Sequence, residues 1–289
     1  ELIIAGAQTV GTLDSSFGEE ISEEKEAPTA PGDHDPCPAF TVIDRNYETL
    51  KEELSADYAS EFENPTLPEL VNFVVTYARD SRLHLYYTPE DIATFIAGLG
   101  TTRLTILQGM SGTGKTSLPK TFAEAIFGGC DLVEVESAWR DKNELLGYYN
   151  EFSRVYTPKK FTQALYRAAL DPETVTFIVL DEMNIARIEY YFAEFLSLLE
   201  LPNPEERYID VVSDKWANDP EQLKDGRIKL PPNMWFIGTA NNDDSTFAIS
   251  DKVYDRAMIL NLDAKSERFA APKTKKTIIS SEQFVGLVD

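Results

Sequence analysis

The sequence lacks the features that mark several classes of protein. No apolar run approaches the ~18 residues that a membrane-spanning helix needs, and no basic segment followed by an apolar one marks the N-terminus as a secretory signal. The two cysteines, Cys37 and Cys130, and the two histidines, His34 and His84, lack the spacing of zinc ligands. We therefore expect a soluble, cytoplasmic protein with no zinc site, no disulfide framework and no contact with a membrane.

Basic residues are also scarce, at 27 lysines and arginines against 49 aspartates and glutamates. This balance argues against a broad surface that tracks nucleic-acid phosphates, although basic residues focused on a pore or cleft stay compatible with it. Segment 1–42 is rich in Pro, Glu and Asp, and we predict an acidic linker or tail there, with an acidic interaction arm as the alternative. Because the first residue is Glu1, we also expect a longer native chain.

What the sequence does contain is a glycine-rich loop between a strand and a helix. The apolar run at 103–108 predicts a strand, the pattern G-x-x-x-x-G-K-[ST] follows, and 118–127 predicts a helix. Such a loop turns its backbone N–H groups inward beside the positive end of the helix, which makes a cradle for phosphates. We expect Lys115 to reach the β- and γ-phosphates and Thr116 to bind Mg²⁺. The residues expected to bind a nucleotide are Gly109, Met110, Ser111, Gly112, Thr113, Gly114, Lys115, Thr116 and Ser117.

A second motif ends an apolar run at 176–180. The run does not alternate between apolar and polar residues, which predicts a strand buried on both faces, and it leads into Asp181 and Glu182. Ligands of a parallel sheet gather beyond the carboxyl ends of its strands, so both carboxylates are expected beside the P-loop. We expect Asp181 to hold Mg²⁺ and Glu182 to orient and polarise the attacking water. An acidic pair at a strand end is common by chance, and the P-loop upstream is what favours the functional interpretation.

Two further polar residues adjoin predicted strands. Asn241 ends an apolar strand at 234–241 and could position the water or the γ-phosphate, with a turn-forming asparagine as the alternative. Arg256 precedes an apolar strand at 258–262 and could reach the nucleotide of a neighbouring subunit, with a surface salt bridge as the alternative.

The rest of the pattern divides the chain. Periodicity at 44–62 and 67–79 predicts a helical N-terminal segment over 43–84, before a core at 85–263 and a C-terminal segment at 264–289. We further predict helices at 87–98, 141–149, 161–170 and 187–201, a strand at 131–136, a turn-rich segment at 153–162, and a hairpin of strands at 208–212 and 226–230.

The order of these motifs resembles the AAA+ ATPases, within the branch of dynein-related, MoxR-like and McrB-like proteins. The residues that carry it are GMSGTGKTS at 109–117, IVLDEMN at 178–184, FIGTAN at 236–241 and SDKVYDRA at 250–257. The resemblance covers roughly 85–263 and implies an α/β P-loop NTPase core in three layers, with a parallel sheet and a β-hairpin insertion before the strand that carries Asn241. It places Asn241 at the sensor-1 position and Arg256 at the arginine finger. The usual helical lid is incomplete, because 264–289 is too short for it.

The resemblance also implies a function. It points to a homo-oligomeric motor, a hexameric ring, that hydrolyses ATP or GTP with Mg²⁺, with ATP favoured. The run DEMNIARIEYYFAEFLSLLE at 181–200 is most similar to McrB-like motors, which implies DNA movement in restriction or anti-phage defence beside a nuclease or effector subunit. The single Arg256 followed by Ala257 is closer to the MoxR and dynein pattern. A protein-remodelling ATPase without nucleic acid and a nucleotide-gated assembly scaffold are therefore the alternatives.

Overall fold

The computed structural model describes residues 35–56, 58, 62, 65–213, 219–241, 246–262 and 271–288. Its helices are α1 Pro38–Ser55, α2 Leu67–Asp80, α3 Pro89–Thr101, α4 Ser117–Ile126, α5 Asn143–Leu146, α6 Lys160–Leu170, α7 Ile188–Tyr191, α8 Ala193–Glu200, α9 Asp251–Tyr254 and α10 Ser281–Val288. Its strands are β1 Leu104–Gln108, β2 Gly129–Glu134, β3 Gly147–Asn150, β4 Val155–Pro158, β5 Thr176–Asp181, β6 Tyr208–Asp210, β7 Leu223–Lys224, β8 Arg227–Lys229, β9 Met234–Ala240 and β10 Met258–Asn261. In this part of the chain, no helix is long and apolar enough to span a membrane.

A parallel sheet of five strands forms the centre, in the order β10–β1–β9–β5–β2. Every residue of β1 and β9 is buried, as the unbroken apolar runs of these strands predict. The strands run in register, so that Gln108 is level with Ala240 and Leu180 with Gly238. We call the side on which these strands end the carboxyl edge of the sheet, and the opposite side the amino edge.

Helices cover both faces of this sheet and bury an aromatic core on each. On one face, below α1, α6, α7 and α8, Phe161, Phe195 and Phe236 pack with ring centroids 5.0–5.8 Å apart. On the other face, below α2, α3 and α4, Phe122 packs against Phe177 at 5.8 Å. The predicted three-layer α/β architecture is therefore confirmed. The predicted hairpin is confirmed too, since β6 pairs antiparallel with β8 ahead of β9, and β7 adds a third strand.

Of the predicted helix at 141–149, only Asn143–Leu146 is helical. Helix α5 ends at Leu146, and β3 follows it directly. Strand β3 pairs antiparallel with β4, which lies inside 153–162, the segment predicted to be rich in turns. Gly147 explains the change, because its φ of 119° suits glycine and a Cβ there would lie 2.3 Å from the Thr157 carbonyl oxygen. Similarly, the predicted helix at 187–201 is two helices that break at Phe192, a fully buried residue with φ −114° and ψ 3°.

The two ends of the chain also differ from expectation. Helix α1 begins at Pro38, inside the predicted linker 1–42, and residues 1–34 of that linker lie outside the described residues. At the other end, α10 packs against α3, and its buried Phe284 meets the Trp235 ring edge-on at 5.4 Å. The described part of the C-terminal segment thus extends a layer of the core, and none of its residues lines the P-loop cavity described below.

Candidate functional site

The P-loop connects β1 to α4 at the carboxyl edge. Gly112 and Gly114 have φ values of 81° and 87°, a left-handed backbone that residues with side chains rarely adopt. Gly114 is also closely packed, because a Cβ there would lie 2.8 Å from the Tyr87 hydroxyl oxygen. The loop therefore depends on glycine at both positions for its curvature.

Lys115 is held at this loop by the loop itself. Its side chain is 93% buried, at 7% exposure, and its Nζ donates to the carbonyl oxygens of Gly109 at 2.9 Å and Met110 at 2.7 Å. The ammonium is thus placed beside the backbone that would cradle a phosphate, where its charge can meet phosphate oxygens.

Asp181 and Thr116 lie side by side at the end of β5 and the start of α4. The Thr116 Oγ1 donates to the Asp181 Oδ1 at 2.7 Å, and the Thr239 Oγ1 donates to the same oxygen at 2.7 Å. A carboxylate and a hydroxyl oxygen in contact are ligands of the kind Mg²⁺ takes beside phosphates. The residues present therefore fit a magnesium site formed by Thr116 and Asp181.

Glu182 follows directly, in a left-handed backbone conformation with φ 51° and ψ 44°. Its backbone N–H donates to the Thr239 Oγ1 at 2.9 Å, its side chain is exposed, and the Asn241 Nδ2 lies 3.4 Å from its Oε1. These side chains share a cavity of about 200 Å³ with the P-loop. It is lined by Ser111, Gly112, Gly114, Lys115, Thr116, Ser117, Asp181, Glu182, Thr239 and Asn241.

Of the predicted site residues, four lie outside this cavity. Gly109, Met110 and Thr113 belong to the loop but do not line the cavity, and Met110 is 55% exposed. Arg256 lies at the amino edge, where the Thr102 hydroxyl donates to its carbonyl oxygen at 3.1 Å. Its guanidinium forms an ion pair with Glu200. Strand β1, five residues long, separates the two edges by about 17 Å at the usual rise per residue.

Residues 105–257 match the family described as AAA domain (dynein-related subfamily). The chain belongs to this family. Over 191 residues it is 25% identical to the type IV methyl-directed restriction enzyme EcoKMcrB subunit of Escherichia coli K12. The aligned region covers 61% of this chain and 39% of that protein. Over 157 residues it is 28% identical to a Lon protease of Clostridium beijerinckii, covering 54% and 18% respectively. The chain thus spans less than half the length of either curated relative.

Among solved structures, this AAA domain is similar to a candidate ATPase from Cytophaga hutchinsonii. The two share 13% sequence identity at a TM-score of 0.46, over 86% of this chain and 65% of that one.

Sequence reasoning missed two residues that contact the site. Thr239, near the end of β9, precedes Asn241 by two positions, and the two-residue period of a strand was a signal that the two side chains face the same side. The buried Tyr87 hydroxyl donates to the Gly114 carbonyl oxygen at 2.8 Å, a contact that no sequence pattern predicts. Burial, with the nearby Asp91 carboxylate, raises the pKa of this hydroxyl above its usual value, so the hydroxyl stays protonated and donates.

Proposed function

We propose that this AAA domain hydrolyses ATP, with Mg²⁺, as one subunit of a homo-oligomeric ring. The observation that carries the proposal is the cavity at the carboxyl edge. There Lys115 from the P-loop, Asp181 and Glu182 from the end of β5, and Asn241 after β9 line one space.

Each group has a separate part in the reaction. The P-loop N–H groups and Lys115 bind the phosphates, and Thr116 and Asp181 hold Mg²⁺, which supplies charge neutralisation of the phosphate oxygens. Glu182 orients the attacking water and draws its proton, and Asn241, close to the Glu182 carboxylate, helps to orient the same water.

Arg256 completes the site of a neighbouring subunit. An arginine side chain is shorter than the ~17 Å that separates the two edges of the sheet. The Arg256 guanidinium at the amino edge therefore cannot reach the nucleotide bound to its own chain. In a ring, the amino edge of one subunit would face the carboxyl edge of the next. Arg256 would then stabilise the charge that develops on the phosphates in the transition state. Six subunits are expected from the family resemblance.

We further propose that the ring moves DNA in a restriction or anti-phage defence complex, beside a nuclease or effector subunit. The support is the 25% identity to the restriction-enzyme subunit of E. coli. ATP is favoured over GTP by the wider family alone, because the P-loop contacts phosphates and does not read the base. The cytoplasmic location stays a prediction.

The second candidate is an ATPase that remodels proteins without nucleic acid. The formal net charge of −22 favours it, because an acidic surface repels DNA, and so does the similarity to a Lon protease. A nucleotide-gated scaffold that binds without turnover is the third.

Phosphate release from the purified full-length protein distinguishes these candidates. It is measured with ATP and with GTP, each with and without double-stranded DNA, with Lys115→Ala as the blank. Hydrolysis raised by DNA would support the motor in defence. Hydrolysis indifferent to DNA would favour protein remodelling. Tight nucleotide binding without release above the blank would favour the scaffold.

A further inference from the structure

The backbone of Glu182 is in an unfavourable conformation at the point where the chain leaves β5. Its φ of 51° lies in the left-handed region, which residues with a Cβ seldom adopt unless their surroundings hold them there. The turn directs the side chain into the cavity, where its Oε1 comes within 3.4 Å of Asn241. Some interaction must hold this turn.

The hydroxyl of Thr239 makes two hydrogen bonds at this turn. It accepts from the Glu182 N–H at 2.9 Å and donates to the Asp181 Oδ1 at 2.7 Å, so its donor and one acceptor position are used. Thr239 is 2% exposed, and β9 pairs with β5, so the hydroxyl stands level with the end of β5. Without it, the Glu182 N–H would lose its acceptor and the Asp181 Oδ1 would lose one of its two donors.

We propose that Thr239 is a positioning residue that holds Glu182 in its left-handed conformation and Asp181 at the magnesium site. The proposal rests on the proposed function, because it takes Glu182 as the group that activates water. Thr239 has no hydrogen bond to the P-loop or to Lys115 among the bonds of the described residues. The phosphate-binding groups should therefore stay in place when the hydroxyl is removed.

Thr239→Val removes the hydroxyl and keeps the shape of the side chain. Because a partner of a metal ligand is lost, we expect kcat to fall about 10- to 100-fold. The nucleotide KM, and the Kd measured by fluorescence titration, should stay within about threefold of wild type, since the loop is untouched. Thr239→Ser keeps the hydroxyl and should restore most of the activity.

Thr105→Val is the matched control. Thr105 lies on β1, is fully buried, and its hydroxyl has no hydrogen-bond partner among the described residues. The change removes a buried threonine hydroxyl from the same sheet without touching the cavity, so kcat should stay at the wild-type value. If Thr239 had only a structural role, the folded fractions of Thr239→Val and Thr105→Val would instead have the same kcat.

A second measurement does not depend on turnover. Hydrogen exchange at the Glu182 amide should accelerate in Thr239→Val, and stay slow in Thr239→Ser and Thr105→Val, because only the first change removes its acceptor. An unchanged kcat with unchanged exchange would overturn the proposal. If wild type hydrolysed no faster than Lys115→Ala, the proposed function would fail, and the exchange rates would still decide whether Thr239 holds the turn.

Discussion

The two edges of the central sheet both carry charged side chains, but they hold them differently. At the carboxyl edge, Asp181, Glu182 and Lys115 line one open cavity, and each follows or adjoins a tight turn of the backbone. At the amino edge, Arg256 pairs with Glu200, and the Arg103 guanidinium lies 4.1 Å above the centre of the Trp235 ring. One edge gathers its charges around a shared space, and the other pairs them locally.

The amino edge also holds a cavity, but its lining differs from that at the carboxyl edge. A cavity of about 470 Å³ also lies at the amino edge, lined in part by Arg103, Arg207 and Arg256. It holds no pair of adjacent carboxylates like Asp181 and Glu182 and no P-loop. At the carboxyl edge, the described residues that line the cavity include the groups proposed to bind phosphates and activate water, and none of these lining residues is an arginine. Each edge therefore has what the other lacks, which is the arrangement a ring of identical subunits would use.

The largest effect is expected from Arg256→Ala, which removes the contribution of the amino edge. Hydrolysis by the assembled protein should fall by about 10³ to 10⁵, as when an arginine finger is lost in other NTPases. Mixing this variant with Glu182→Gln should restore part of the phosphate release, because each variant supplies the group that the other lacks. No recovery in a mixture shown to co-assemble would contradict action between subunits.

Arg207→Ala is the control for that comparison. It removes a second arginine from the same cavity, one whose Nη2 donates to the Leu201 carbonyl oxygen at 2.7 Å. The folded fraction of Arg207→Ala should release phosphate as wild type does.

A smaller loss is expected from Glu182→Gln alone, which leaves the carboxyl edge in shape but without its base. Phosphate release should drop by about 10² to 10⁴ while nucleotide stays bound. Glu173→Gln, which changes a side chain that is 83% exposed and outside the cavity, is the control. Turnover at the wild-type rate in Glu182→Gln would show that water is activated elsewhere.

Tyr87→Phe tests how much the hydrogen bond from Tyr87 to the P-loop contributes to nucleotide binding. Losing one hydrogen bond to Gly114 should weaken nucleotide binding by about 2- to 10-fold, equivalent to about 0.5–1.5 kcal/mol. Tyr156→Phe is the matched control, since that buried hydroxyl also donates to a carbonyl, of Leu146, and does not line the cavity. Equal nucleotide affinities in the two variants would remove Tyr87 from the site.

The smallest effect on activity is expected from Asp171, which follows α6 on the amino side of β5. Burial acts to raise the pKa of its carboxyl, but hydrogen bonds from Thr174, Lys51 and Tyr47 outweigh burial and lower it. Because the folded pKa is depressed, this stabilisation is present above the ordinary value of 3.8 and is lost as the pH falls through the folded value.

Asp171→Asn should therefore lower the free energy of unfolding at neutral pH by about 1–3 kcal/mol. Its unfolding free energy should depend less on pH in the acidic range than that of wild type, measured by urea titration at each pH. Hydrolysis by the folded protein should not change. An identical acid dependence in both proteins would contradict the lowered pKa of the Asp171 carboxyl.

The candidate nucleotide site could be predicted from sequence where its groups are local. The loop at 109–117 needs only its glycines, the strand before it and the helix after it, and these are contiguous. The pair Asp181 and Glu182 follows an apolar run whose lack of alternation predicts a strand buried on both faces. Both signals are local. The glycines set the sterics of the loop, and the apolar residues of the run themselves indicate that the strand is buried.

Other features depended on tertiary structure. The strand pairing of β3 with β4 depends on the close approach of Gly147 to Thr157, and the hydrogen bonds of Thr239 depend on the pairing of β9 with β5. The place of Arg256 is set by the register of β10 on β1, with Thr105 level with Met258. The hydrogen bonds of Thr239 and the register of β10 on β1 join residues far apart in the chain. A hydrogen bond or strand pairing of that kind forms only after the sheet assembles, so no local pattern could have specified it.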